Sequence, residues 1–69
     1  MPYEPVESDY RVRPEKSVLD PSYFYYHFWH YSDGEWRYMY KVPPVIMTEN
    51  LKGYHYLSSA GGYDYWRRA

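Results

Sequence analysis

Cysteine is absent from this 69-residue chain, which removes disulfides, thiolate metal sites and cysteine nucleophiles together. Small secreted domains usually rely on such staples, so a reducing compartment is expected: the cytoplasm, or a host's cytoplasm if the chain is viral. Long apolar runs are also missing. The most apolar stretch, Tyr23 to Tyr31, covers nine residues and includes two histidines, against the roughly 20 that cross a bilayer. No membrane partner is expected. The opening Met1-Pro2-Tyr3-Glu4-Pro5 has neither a basic nor an apolar run, so no signal peptide is expected. Charge of one sign is lacking too. Eight Lys/Arg against nine Asp/Glu leave a formal net charge of −1, and neither strong non-specific DNA binding nor a charge-based DNA mimic follows from that balance.

Aromatic residues are abundant: twelve Tyr, three Trp and two Phe, or 25% of the chain. Disordered chains lack aromatics, so a folded domain is expected, and the length allows only one. A domain this small buries only about 60% of its unfolded surface. Large rings, at about 150–250 Å² each, compensate for a thin core. Core filling alone would favour Phe, which has no hydroxyl to satisfy. The ratio of twelve Tyr to two Phe points elsewhere. Each buried Tyr must find a partner for its hydroxyl, and so many cannot be satisfied inside so small a body. Several therefore belong at a half-wet rim, which is the composition of binding surfaces.

The chain divides by composition. Residues 1–22 hold four of the six prolines and no glycine, with five acids against three bases. They read as an extended Pro-rich N-terminal arm, with one helical turn possible over Pro14–Leu19. Residues 23–69 hold fifteen of the seventeen aromatics and all four glycines, and read as a small aromatic-rich β domain.

The expected fold is mainly β, a single-layer antiparallel sheet of about four strands in two hairpins. Residues 23–31 and Glu35–Val42 flank the turn signal Ser32-Asp33-Gly34 and form the first hairpin. Pro43-Pro44 stops the second strand, and Val45–Thr48 reads as a short third strand. Tyr54–Leu57 and Tyr63–Arg67 form the second hairpin around a flexible loop at 58–62. The alternative is an α+β fold with a helix over 21–32, started by Asp20-Pro21. Crowded aromatics disfavour it.

Loop length in the first hairpin decides which residues share a face. A three-residue loop, the favoured reading, puts Phe24, Tyr26, Phe28 and His30 with Trp36, Tyr38, Tyr40 and Val42 in the core. It leaves Tyr25, His27, Trp29 and Tyr31 beside Arg37, Met39 and Lys41 on the outer face. A two-residue Asp33-Gly34 loop exchanges the partners.

Catalytic and metal chemistry find little support. In a strand, His27 and His30 point to opposite faces, and three or four ligands are needed for zinc. Ser58 and Ser59 lie in a Gly-containing loop, with His55 upstream and Asp64 beyond, but a triad needs a rigid third group and an oxyanion donor that so short a chain scarcely supplies. Ser58–Gly62 lacks the Gly-Lys-Ser/Thr ending of a phosphate loop. No enzyme, cofactor or metal is expected.

The expected function is non-enzymatic binding: an adaptor or inhibitor, such as a virus- or phage-encoded protein blocking a host factor. Its partner-binding residues are Tyr25, His27, Trp29, Tyr31, Arg37, Lys41 and Arg67, helped by the N-terminal arm. A protein partner is expected first. A nucleotide or single-stranded nucleic acid stacked on the rings is the alternative. A third reading is a structural subunit or homo-oligomer stapled by the arm.

Overall fold

A computed structural model describes residues 3–69. Five antiparallel strands form one sheet: β1 (Tyr10–Lys16), β2 (Phe24–Ser32), β3 (Glu35–Val42), β4 (Tyr54–Ala60) and β5 (Tyr63–Arg68). A short helix, α1 (Pro44–Asn50), links β3 to β4. The spatial order is β3-β2-β1-β5-β4. The mainly β, single-sheet architecture expected from the sequence is therefore present, with five strands rather than about four. No helix among the described residues is long and apolar enough to cross a membrane.

The additional strand comes from the expected arm. Residues 10–16 are extended, as proline content suggests, but they lie in the middle of the sheet between the two hairpins. A proline argues against a central strand because it cannot donate to a ladder. Pro14 pairs with Tyr26 of β2, whereas the β5 ladder stops at Val12. At Pro14 the strand thus has a single neighbour, and its missing N–H is tolerated as on an edge. The strand also runs through Lys16, so the helical turn expected at Pro14–Leu19 is replaced by strand and loop.

Phe24–Ser32 keeps the expected strand, and the alternative helix over 21–32 is absent, as an aromatic-rich segment favours. Other expectations change for local reasons. Val45–Thr48 lies inside α1 rather than a strand. Pro44 occupies the first helical position, where its fixed φ suits the helix and its absent N–H costs nothing. Met47 and Leu51, four residues apart, then turn to the sheet. The 58–62 loop contracts to a two-residue turn, with Gly61 and Gly62 both at positive φ (62° and 85°). The first hairpin also has a two-residue turn: Ser32 pairs with Glu35, and Asp33 and Gly34 adopt φ of 53° and 81°. These angles fit a type I′ turn, whose twist matches that of the strands.

Two irregularities then reset the edges. The β2–β3 register shifts between Phe28 and Trp29, leaving Met39 as the extra residue; the β4–β5 register shifts between Tyr56 and Ser58, leaving Leu57. Both edge strands thus carry a bulge, a device that discourages edge-to-edge pairing.

One face of the sheet is covered. Val12, Phe28 and Leu51 form the buried core, with Tyr10, Tyr26, Val42, Met47, Tyr54 and Trp66 packed around it. The other face has no covering layer among the described residues.

The seam between β1 and β5 has only three residue pairs and is extended by an ion pair between buried Asp9 and half-buried Arg67. Asp9, with 0% exposure, receives Arg67 Nε at 2.9 Å and Nη2 at 3.0 Å. The Tyr3 hydroxyl (2.7 Å) and the Val6 amide (3.0 Å) also donate to it. Arg67 Nη2 donates to the Glu4 carbonyl. Burial alone would raise the Asp9 pKa, but the hydrogen bonds from Arg67, Tyr3 and Val6 hold it below its ordinary 3.8. Burial and the Asp9 bond push the Tyr3 hydroxyl far up.

A carboxyl depressed by folding stabilises the fold at pH above its unfolded value, and this contribution is lost as pH falls through the folded value. Asp9→Ala strands Arg67 and should cost about 3 kcal/mol at neutral pH. Asp9→Asn should lose less at neutral pH and show a shallower fall in melting temperature below about pH 4 than the wild type. Thermal melts by circular dichroism across that range check both. Parallel acid limbs for Asn and wild type would count against the assignment.

Candidate functional site: the open aromatic face

Residues paired across antiparallel strands share a face, and alternation along each strand fixes the rest. The open face therefore collects Arg11, Arg13 and Glu15 from β1, and Tyr25, His27, Trp29 and Tyr31 from β2. Trp36, Tyr38 and Lys41 come from β3, and Tyr63, Tyr65 and Arg67 from β5. The Met39 bulge makes this possible. With Trp36 and Tyr38 on the open face from the two-residue turn, it moves Lys41 onto that face and Tyr40 and Val42 onto the covered one.

At the centre stands Arg11. Its guanidinium carbon lies 4.2 Å from the ring centroid of Tyr63 and 4.9 Å from those of both Trp29 and Trp36. Its Nε is buried without a hydrogen-bond acceptor among the described residues. The π-faces of three rings thus provide the electrostatic compensation that a hydrogen bond would give. The planar guanidinium suits such stacking better than an ammonium. Around this centre the rings brace one another edge to face, Trp29 with Tyr63 (5.1 Å, 84°) and with Tyr38 (5.3 Å, 72°), and Tyr31 with Trp36 (5.1 Å, 67°). Such geometries add to the area that aromatics bury.

A polar relay borders the cage. His27 Nε2 meets the Glu15 carboxylate, and His27 Nδ1 lies 2.8 Å from the Tyr38 hydroxyl. The hydrogen bond with His27 holds the exposed Glu15 carboxyl below its ordinary range. Exposed Arg13 and Lys41 flank the relay, with Lys41 Nζ 5.1 Å from the Tyr25 ring centroid.

Five of the sequence-predicted site residues, Tyr25, His27, Trp29, Tyr31 and Lys41, come together on this face. Arg37 does not. It pairs with His30 on the covered side, because the turn has two residues instead of three, and it forms ion pairs with Glu35 and Asp33 near that turn. Arg67 is on the open face but is engaged by Asp9. Arg11, Arg13, Trp36, Tyr38 and Tyr63 were absent from the expected site. The alternation of Tyr10-Arg11-Val12-Arg13 is the signal for β1, and Pro14 obscures it. His27 and His30 fall on opposite faces, as strand geometry requires. Of the Ser/His/Asp constellation, Ser58 and His55 lie on the open face and Asp64 on the covered one.

Fold and site together define a class: a small one-sheet protein with one face closed by a helix and the other presenting a cation-centred aromatic cluster. Compared with family models, curated proteins and solved structures, the chain matches none.

Removing the central cation tests the cluster. Arg11→Ala should redden tryptophan emission, flatten the near-ultraviolet circular dichroism and cost about 2 kcal/mol, from several cation–π contacts and the packed alkyl stem. Arg11→Lys should recover only part of both signals. An unchanged near-ultraviolet spectrum in Arg11→Ala would show that the rings are held without it.

Proposed function

We propose that the chain is a non-enzymatic adaptor or inhibitor that binds an acidic protein surface through its open face. The observation supporting this is the occupancy of the cage. Arg11 already lies against Trp29, Trp36 and Tyr63, so these ring faces are not free to stack on bases. Ring edges, which carry the positive end of the aromatic quadrupole, and tyrosine hydroxyls are what remains. Arg11, Arg13 and Lys41 outnumber the face's one carboxylate outside the Asp9–Arg67 pair, Glu15. Such a surface suits carboxylates presented by a folded partner more than a base. Rigid rings also bind at low entropic cost, since few rotors remain to be frozen. Blocking a host factor, as a viral or phage protein would, is one use of such a face.

The anchors to test are the exposed cations at the border of the cage, Arg13 and Lys41. The double variant Arg13→Glu, Lys41→Glu should keep its thermal melt within a few degrees. In affinity purification from native cells followed by mass spectrometry, it should lose the proteins that the wild type retains. Calorimetry of the wild type against short single-stranded oligonucleotides at two salt concentrations should give no heat. Equal protein recovery by the variant would overturn the reading, and salt-dependent heat with the oligonucleotides would replace it with nucleic-acid binding.

A further inference from the structure

Away from the open face, two features lie towards opposite ends of the strands. The first is the loop between β1 and β2, where Val18 and Leu19 are 94% and 97% exposed. This loop is braced rather than loose. Ser17 Oγ accepts from the amides of Leu19 (3.3 Å) and Asp20 (3.4 Å), and Asp20 Oδ1 accepts from the Ser22 amide (3.1 Å) and hydroxyl (2.6 Å). The Tyr23 amide donates to the Asp20 carbonyl, and the Ser17 amide to the Tyr23 carbonyl. An apolar pair is thus held outward in one conformation, so little entropy remains to be lost on docking.

The second feature is an open cavity of about 450 Å³ on the covered side, beneath the end of α1. Met47, Leu51, Tyr54 and Trp66 form its apolar wall, with Thr48 and Lys52 at its mouth. Its size is within the range of sites that enclose small apolar groups. Arg68 lies over the Tyr54 ring, and Lys52 is ion-paired with Glu49 at 3.2 Å, so the charges bordering it sum to one positive. The charge within the loop is Asp20, which pairs with no cation among the described residues. Trp66 pairs with Tyr10, whereas the loop follows Lys16. Six residues of strand, about 20 Å, separate them, so the tip of one molecule is out of reach of its own cavity.

We propose that Val18 and Leu19 of one copy seat in the Met47–Leu51–Tyr54–Trp66 cavity of a second copy, with Asp20 facing Lys52 and Arg68. Tip and cavity are different surfaces, so the contact is heterologous: one copy uses its tip, the other its cavity, and the pair keeps one free tip and one free cavity. Copies then add head to tail. The bulges at Met39 and Leu57 discourage the competing route of pairing edge strands. The contact lies away from the open face and does not depend on what that face binds.

Sedimentation velocity of the full chain tests the proposal. The wild-type mass should rise with concentration over a hundredfold range. Val18→Ser with Leu19→Ser removes the tip, and Thr48→Arg blocks the cavity mouth. Each alters exposed side chains, each should keep the wild-type circular dichroism, and each alone should stay at the mass of one chain. Mixed in equal amounts, they should form a two-chain species and nothing larger, because the intact tip of one meets the intact cavity of the other. Should Thr48→Arg misfold, Lys52→Glu serves as the cavity variant and should weaken association at least several-fold. A wild-type mass that does not change with concentration overturns the proposal. So does association that survives loss of the tip, or a mixture of the two variants that stays monomeric.

Discussion

The sheet depends on holding β1 between two hairpins that are distant in sequence. The β2–β3 hairpin follows β1 directly, so its neighbour is local. The β4–β5 hairpin must return from the far end of the chain, and its ladder with β1 spans only Tyr10 to Val12. Asp9 and Arg67 extend that short seam by a bidentate ion pair, with Tyr3, Val6 and the Glu4 carbonyl completing the network. A buried carboxylate is expensive unless its acceptor sites are filled, and here four donors fill them. The cost of leaving any one empty restricts the sheet to one alignment of β5 on β1. That alignment puts Tyr63 over Arg11 and Trp66 over the core.

Faces are then set by two small turns and two bulges. A two-residue turn at Asp33-Gly34 would by itself put Trp36, Tyr38 and Tyr40 together on the open face. The Met39 bulge divides them, so Tyr40 packs with Phe28 in the covered layer while Trp36 and Tyr38 join the cluster around Arg11. One extra residue in an edge strand therefore supplies a ring to a thin core while two rings stay on the surface. The same bulge twists an edge that would otherwise be available for pairing.

The surplus of tyrosine fits this division. Few aliphatics are buried, and Phe28 with Val12 and Leu51 suffices for the centre of the core. Most tyrosines stand at half-buried or exposed positions, some with hydroxyls engaged, as Tyr3 is by Asp9 and Tyr38 by His27. The ratio of Tyr to Phe was thus legible as a sign of a wet aromatic surface. The cation at its centre was not. Arg11 and Arg13 alternate with Tyr10 and Val12 in strand fashion, but four residues of alternation ending in proline do not outweigh a Pro-rich, acid-rich context.

By itself, the sequence determined the β class, the two hairpins and their turn sites, and the segment from Tyr23 to Tyr31 as an aromatic strand. These follow from short-range chemistry: strand propensity, Gly at positive φ, and alternation. It also determined that His27 and His30 must part, because successive strand residues alternate. Tertiary structure alone decided that residues 10–16 are the central strand, that Pro44 starts a helix instead of ending a strand region, and that Arg37 leaves the open face while Arg11 enters it. Each of these depends on a partner far along the chain or on a register shift of one residue. Local preference is nearly indifferent to such choices, and the burial of Asp9 against Arg67 and of Phe28 against Val12 and Leu51 is what selects among them.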